Sequence, residues 1–285
     1  MNRIITFLIF FLIVLLAFAQ EKADIAVSYD YTYPTTRDKI QTTPMTLLAS
    51  HDRSKYFNSL SLWIDSLKST PEGKAQYMEI LKQSCLTIEP DGTMSWDLRK
   101  GPTKTVYTYI FTDNDAALLT VYGKWGDDLG FYTEPLAEIE WNIISDSTAT
   151  MLGYECILAE TDYHGRHWKA WFTPEIPVCF GPWKLRGLPG LILKATCDGA
   201  FSFTATGLES TDREMTTIYS PADYERVDRK KAQAQHEYHV NNAEAIFKAQ
   251  NGGNATLTYQ DDEGNPIDAP VYNPAKHSIE PDYKN

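Results

Sequence analysis

Gly181-Pro182-Trp183-Lys184-Leu185-Arg186-Gly187-Leu188-Pro189-Gly190-Leu191-Ile192-Leu193 is the stretch on which the fold turns. Its density of glycine, proline and tryptophan excludes the interior of a helix or a strand. Leu188-Pro189-Gly190-Leu191 fits a type II turn, because proline sets φ at the second position and glycine supplies a positive φ at the third. An apolar run from Leu191 to Thr196 follows at once. The stretch therefore reads as a rigid corner that launches a core strand. Gly181, Pro182, Gly187, Leu188, Pro189, Gly190, Leu191 and Ile192 are its structural residues. None of them is a nucleophile or a general base.

The surrounding sequence alternates at the period of strands. Ala137–Ser145, Gly153–Thr161 and Arg166–Phe172 precede the corner, and Leu191–Cys197 and Ala200–Leu208 follow it. Asp198-Gly199 between the last two is the signature of a type I′ hairpin. Farther upstream, Asp24–Tyr33, Pro44–Ser50, Lys104–Phe111 and Ala116–Tyr122 also read as strands. Helical spacing is confined to two regions. Leu60, Trp63, Ile64 and Leu67 share one face, and Thr70-Pro71-Glu72 opens a second helix that carries Met78, Leu81 and Cys85 inward. The polar segment from Pro221 to Gln250 reads as a C-terminal helix stopped by Gly252-Gly253. The last 35 or so residues have little periodicity and either wrap the surface or stay partly disordered. The expected architecture is α+β: a strongly curved antiparallel sheet of roughly eight to eleven strands joined by short turns. One face packs on the Ser59–Cys85 helical segment, and the C-terminal helix docks at an edge or at the open mouth.

The first residues read as an export signal. Arg3 precedes the apolar run Ile4–Leu16, and Ala17-Phe18-Ala19 supplies a cleavage site. Cleavage leaves 266 of the 285 residues and moves the net charge from −12 to −13. The reading divides the chain into a signal peptide (1–19), a β-rich domain (20–215) and a C-terminal helix with an irregular tail (216–285). No cysteine follows the cleavage site, and no later apolar stretch approaches the roughly 20 residues that span a bilayer. The mature protein is thus expected to be periplasmic or secreted and not integral to a membrane. An acidic chain without a long basic run argues against nucleic acid as a partner. In an oxidising compartment Cys85, Cys156, Cys179 and Cys197 allow one or two disulfides, with three complete pairings open. Buried free thiols are the alternative.

Glu140-Trp141-Asn142-Ile143, Gly153-Tyr154-Glu155-Cys156, Gly165-Arg166, Ala170 to Pro177 and the corner occur in the order seen in the GLPGLI family of secreted Bacteroidota proteins. The chain resembles that family from about Ala23 to Leu208, most strongly from Glu138 to Leu193. The family brings no settled biochemical function to transfer. Its predicted strand order is similar to that of periplasmic lipoprotein carriers and lipid sensors. The resemblance thus implies a half barrel in which a curved sheet cups an apolar ligand. The family pattern holds one cysteine, at the Cys156 position. Cys85, Cys179 and Cys197 depart from it.

Two groups of residues could carry function. Arg166, Trp168, Trp171, Trp183, Lys184 and Arg186 bring cationic and aromatic groups close in sequence, as a surface for an anion, sugar or protein partner would require. The same residues serve equally as core tryptophans covered by snorkelling cations. Tyr107, Tyr109, Phe111, Trp141, Phe201 and Phe203 could line an apolar cup, or simply fill a core. His164 and His167, and His236 and His239, form two His-x-x-His pairs, but neither has the spacing of a zinc protease, and no metal or cofactor is expected. Nucleotide-binding and hydrolase motifs are missing, which leaves Asp162 and Glu175 as the one acid–base pair to consider. The sequence favours a monomeric, non-enzymatic envelope protein that binds an apolar small molecule. The alternatives are a module docking an envelope partner through Arg166–Arg186, and a hydrolase using Asp162 and Glu175.

Overall fold

The computed structural model describes residues 22–215, 218–253, 256–261 and 263–284. The signal peptide expected at 1–19 lies outside these residues. The chain opens with strands β1 (Ile25–Pro34), β2 (Ile40–Ala49) and β3 (Arg53–Phe57), followed by helices α1 (Ser59–Lys68) and α2 (Pro71–Cys85). A small ribbon, β4 (Leu86–Ile88) with β5 (Met94–Trp96), leads to the meander β6 (Tyr109–Asp113), β7 (Leu118–Trp125) and β8 (Asp128–Pro135). Strands β9 (Asn142–Met151), β10 (Tyr154–Tyr163), β11 (Arg166–Thr173), β12 (Leu191–Cys197) and β13 (Phe201–Ser210) come next. Short β14 (Glu225–Arg226), helices α3 (Arg229–Asn241) and α4 (Ala243–Gln250), the pair β15 (Tyr259–Gln260) and β16 (Pro266–Ile267), and α5 (Pro274–His277) end the chain.

Twelve strands form one curved, unclosed sheet in the order β14-β8-β7-β6-β3-β2-β1-β13-β12-β11-β10-β9. The long pairing of β1 with both β2 and β13 joins the two meanders, with Ile25 opposite Ala49 and Ser210. Leu152-Gly153, His164-Gly165 and Asp198-Gly199 all take positive φ at tight connections, as type I′ hairpins require. One face of the sheet, the cup face, carries Tyr29, Leu47, Tyr56, Ile110, Val121, Trp168, Leu193 and Phe203 into the main core. The back face carries Ala26, Leu48, Phe57 and Tyr109, with Leu62 of α1 against them. Ile64, Tyr77, Leu81 and Cys85 form a separate core between α1 and α2. Thr70 caps α2 by accepting from the Gly73 amide at 3.1 Å, with Pro71 in the first turn.

Three stretches differ from the sequence expectation. Residues 104–108 are not strand, and β6 begins only at Tyr109. Tyr109 packs on the back face, so the aromatic set Tyr107, Tyr109 and Phe111 is split rather than lining one cup. The strand expected from Ala137 starts at Asn142. The carbonyls of Ala137 and Glu140 accept side-chain bonds from Arg186 and Thr161 instead of pairing in a sheet. The C-terminal helix is interrupted. Tyr224 to Val227 lies along β8 as parallel β14, Asp228 caps α3 by accepting from Lys231 N, and the helix breaks again at Asn242.

All four cysteines are free thiols. Cys156 on β10 lies level with Thr173 of β11 and Cys197 on β12 lies opposite Trp168, so two strand spacings and five residues of strand rise put their backbones roughly 19 Å apart. A disulfide needs less than about 7 Å between Cα atoms. Cys85 belongs to the helical core, away from both.

Candidate functional site

The corner is not a type II turn. The Gly190 amide donates to Leu188 O at 2.8 Å around Pro189, while Leu191 N turns to Ile176 O at 3.1 Å. An inverse γ-turn therefore replaces the four-residue turn. Gly190 is required for space as well as for its φ of +155°, since a Cβ there would sit on the carbonyl of Thr173 and against Pro174. These bonds fold the corner back over the cup face. Trp183, Leu185 and Leu188 are buried, while Gly187 and Pro189 stay exposed. Tyr29 donates its hydroxyl to Ile192 O at 2.6 Å, and Trp168 packs between Trp183 and Phe203.

The folded corner delivers Lys184 to the interior. Its ammonium is 0% exposed and lies 2.6 Å from Glu134, 2.9 Å from Glu280 and 3.1 Å from the Tyr132 hydroxyl. Arg229, at the start of α3, reaches Glu134 at 3.2 Å, Glu280 at 2.8 Å and Asp282 at 2.9 Å. His164 meets Asp282 at 3.1 Å. Burial pushes the Glu280 carboxyl up, but Lys184, His164 and Arg229 outweigh it and hold its pKa below the ordinary value. Asp282 is likewise raised by burial and lowered further by Arg229 and His164, to about 2. This network ties β8, the corner, α3 and the tail together. Nothing in the sequence marks Glu280 or Asp282, because an acidic residue in an aperiodic tail looks like any solvated charge.

Above the network lies a cavity of about 440 Å³ between the cup face, residues 105–108, α3 and the tail. Its walls are aromatic and aliphatic, with Tyr31, Tyr56, Tyr107, Trp125, Trp183 and Phe203 prominent. Gln233, His236, His239, Lys124, Lys184 and Glu280 supply the polar part. Tyr56 is 3% exposed, and its hydroxyl is buried without a hydrogen-bond partner. Burial raises the pKa of this phenol well above 10, so it is protonated at neutral pH. Burial first, and His239 second, lower the pKa of His236.

The six residues Arg166, Trp168, Trp171, Trp183, Lys184 and Arg186 do not form one outward surface. Arg166, Trp168, Trp183 and Lys184 are buried, and Trp171 and Arg186 are half-buried. Arg166 binds Asp198 at 3.1 Å and the carbonyls of Ser278 and Ala275, with its guanidinium over Phe201 at 4.5 Å. Trp183 and Lys184 line the cavity, while Trp141 donates to Arg186 O at 2.9 Å beside the corner. Asp162 and Glu175 do not converge. Asp162 pairs with His167 at one end of the β10–β11 hairpin, and Glu175 accepts from Glu155 N at the other, roughly 20 Å away by strand rise. The two histidine pairs also stay apart in role, since His236 and His239 line the cavity and His164 joins the ion network. His164, Glu280 and Asp282 offer ligand atoms within 4.8 Å of one another. Both carboxylates already hold Arg229, whose positive charge opposes a metal ion there. Among the described residues no helix is long and apolar enough to cross a membrane.

No curated protein matches this chain. Among solved structures it is similar to PNGF-II in its C2 form (TM-score 0.48, 15% identity) and its P21 form (TM-score 0.49, 14% identity). The C2 comparison covers 74% of this chain and 32% of PNGF-II, and the P21 comparison 75% and 33%, so the chain spans about a third of that protein's length. It is also similar to a domain described as an outer membrane lipoprotein-sorting protein domain from Vibrio parahaemolyticus (TM-score 0.24, 10% identity), covering 70% of this chain and 88% of that one. Residues 158–194, which run from β10 through the corner into β12, match the model of the family described as "Protein of unknown function (Porph_ging)".

Proposed function

We propose that this chain is an exported, non-enzymatic protein of the cell envelope that binds an apolar small molecule in the cavity between the cup face and the C-terminal segment. The observation that carries this reading is the cavity itself, which lies over the cup face and is walled mainly by aromatic and aliphatic side chains. A volume of about 440 Å³ falls in the range of small-molecule sites, and the lining is mostly apolar with a few polar groups, as such sites are. The export signal in the sequence and the resemblance to secreted proteins support the location. In this reading the β-rich domain (20–215) forms the cup and residues 216–285 close it.

The test is native mass spectrometry of the mature protein recovered from its own cells. An added mass that is lost on denaturation is the expected result. A bare chain, together with no binding of any apolar probe, would remove this reading.

A further inference from the structure

The helix that walls the cavity turns the wrong kind of face toward it. A helix lying over an apolar sheet is expected to present an apolar stripe. α3 instead presents Gln233, His236 and His239 at intervals of three, and Ala232 is its one buried residue. The opposite wall is the cup face, with Met45, Tyr56, Ile110, Val121 and Phe203. The cavity thus has an apolar floor and a polar roof. Lys124, near the end of β7, also lies on the lining. Gly126 brings that end of β7 against α3, since a Cβ there would lie 3.3 Å from Nδ1 of His239. Among the described residues Glu280 is the one carboxylate on the lining, and it already binds Lys184 and Arg229. Lys184 is committed as well, to Glu134, Glu280 and the Tyr132 hydroxyl. The roof is not committed in this way. No hydrogen bond joins either imidazole to another described residue, and His236 meets only the ring of Tyr272 edge-on at 5.2 Å. Lys124 lies 3.8 Å from Asp127, but both side chains are part-exposed, and such pairs are worth little. Asp127 and Asp128 stand outside the lining, held by Gln250 and Gln235. The one full charge with capacity left on the roof is therefore positive.

We infer that the ligand of this cavity is an acidic amphiphile, with its apolar body on the cup face and its acidic head against Lys124, His236 and His239. This inference deepens the ligand-binding reading above and rests on it. The head accepts hydrogen bonds from the imidazole N–H groups and the Gln233 amide, and it sets its negative charge beside Lys124. Charge-assisted bonds of this kind are roughly twice as strong as neutral ones. An uncharged head makes the same hydrogen bonds without that gain. A cationic head meets Lys124 with no carboxylate open to it, and burying an unpaired charge is costly. The formal net charge of −12 repels anions from the molecule as a whole, so a preference for the acid has to come from the cavity itself. Lys124, His236 and His239 are thus specificity-determining residues.

The experiment is a calorimetric titration of the purified protein, at neutral pH, with three chains of equal length that differ in the head group: decanoate, decanol and decylammonium. Decanoate is expected to bind at least about fivefold more tightly than decanol, and decylammonium more weakly than either. Combining Lys124→Met, His236→Leu and His239→Leu is expected to erase the preference, with decanoate falling to the level of decanol or below it. Decanol or decylammonium binding as tightly as decanoate overturns the inference and leaves ligand binding intact. So does a preference for decanoate that persists in the triple variant. A native-mass adduct from the cells combined with no binding of any of the three chains does the same. Absence of both adduct and binding removes the ligand-binding reading itself. Should the triple variant fail to fold, Lys124→Met alone, at a part-exposed side chain, carries the comparison, and decanoate is expected to lose most of its advantage there.

Discussion

At the scale of single residues, the corner explains itself through what Gly190 and Lys184 touch. Gly190 has the carbonyl of Thr173 where a Cβ would go, whereas Gly199, also at positive φ, has open space there. Gly190→Ala is expected to prevent folding or lower the melting temperature steeply. Gly199→Ala bears only the backbone strain of its φ, about 1–3 kcal/mol. Equal losses in the two variants would show that close packing is not what the corner glycine provides. Lys184→Ala leaves Glu280, which is 3% exposed, short of one of its two cations, and is expected to cost on the order of 3 kcal/mol in urea unfolding. The same network makes stability depend on pH with a definite sign. Asp282 and Glu280 have folded pKa values below their unfolded ones, so their contribution is fully present at neutral pH. For Asp282 it is lost as pH falls from the ordinary value of 3.8 through about 2. Thermal melts across that window should decline, and Asp282→Asn should flatten the decline while lowering stability at neutral pH.

At the scale of elements, α3 is held by charge and capping more than by an apolar face, since Ala232 is its one buried residue. Asp228→Ala should therefore cost about 1 kcal/mol through the lost cap and loosen the closing segment. Faster amide exchange in α3, with β1 and β13 unchanged, is the measurement that checks it. This weak amphipathic pattern is also why the sequence misjudged the region. A thin apolar stripe over Pro221–Gln250 looks continuous, and nothing in it marks Tyr224 to Val227 as an edge strand on β8. Where alternation was strong, as in β10 to β13 with their positive-φ turns, the elements were legible to within a few residues. Residues 104–108 alternate as well as any strand, yet tertiary packing takes them for the cavity wall. Of the site, the sequence pointed to Trp183, Lys184, Tyr107 and Phe203, because aromatic and cationic residues stand out in composition. Tyr56 stayed hidden. In the sequence it reads as any core tyrosine of a strand, and only the folded arrangement puts it on the cavity wall.

At the scale of the molecule, the fold buries enough apolar surface to need no covalent staple. A chain of 285 residues builds a sizeable core by itself, and here that core runs across the cup face from β8 to β10. The cysteines are distributed accordingly: Cys85 between α1 and α2, Cys156 and Cys197 in separate strands, and Cys179 in the corner, where Asn114 Nδ2 lies 3.4 Å from its sulfur. The proposed export would place these residues where disulfides can form, so the distribution makes a sharp prediction. Intact mass should be identical with and without reductant, and unfolding without reductant should expose four alkylatable thiols. In the native state Cys179, the half-buried one, should react first. Cys197 should be among the slowest, because burial pushes its thiol up to about 12 and the thiolate is the reactive form. A native chain two hydrogens lighter than calculated would mean that at least two of these segments come closer than the sheet allows. The order of β10, β11 and β12 would then be the first thing to revise, and with it the placement of the corner that supplies Trp183 and Lys184 to the cavity.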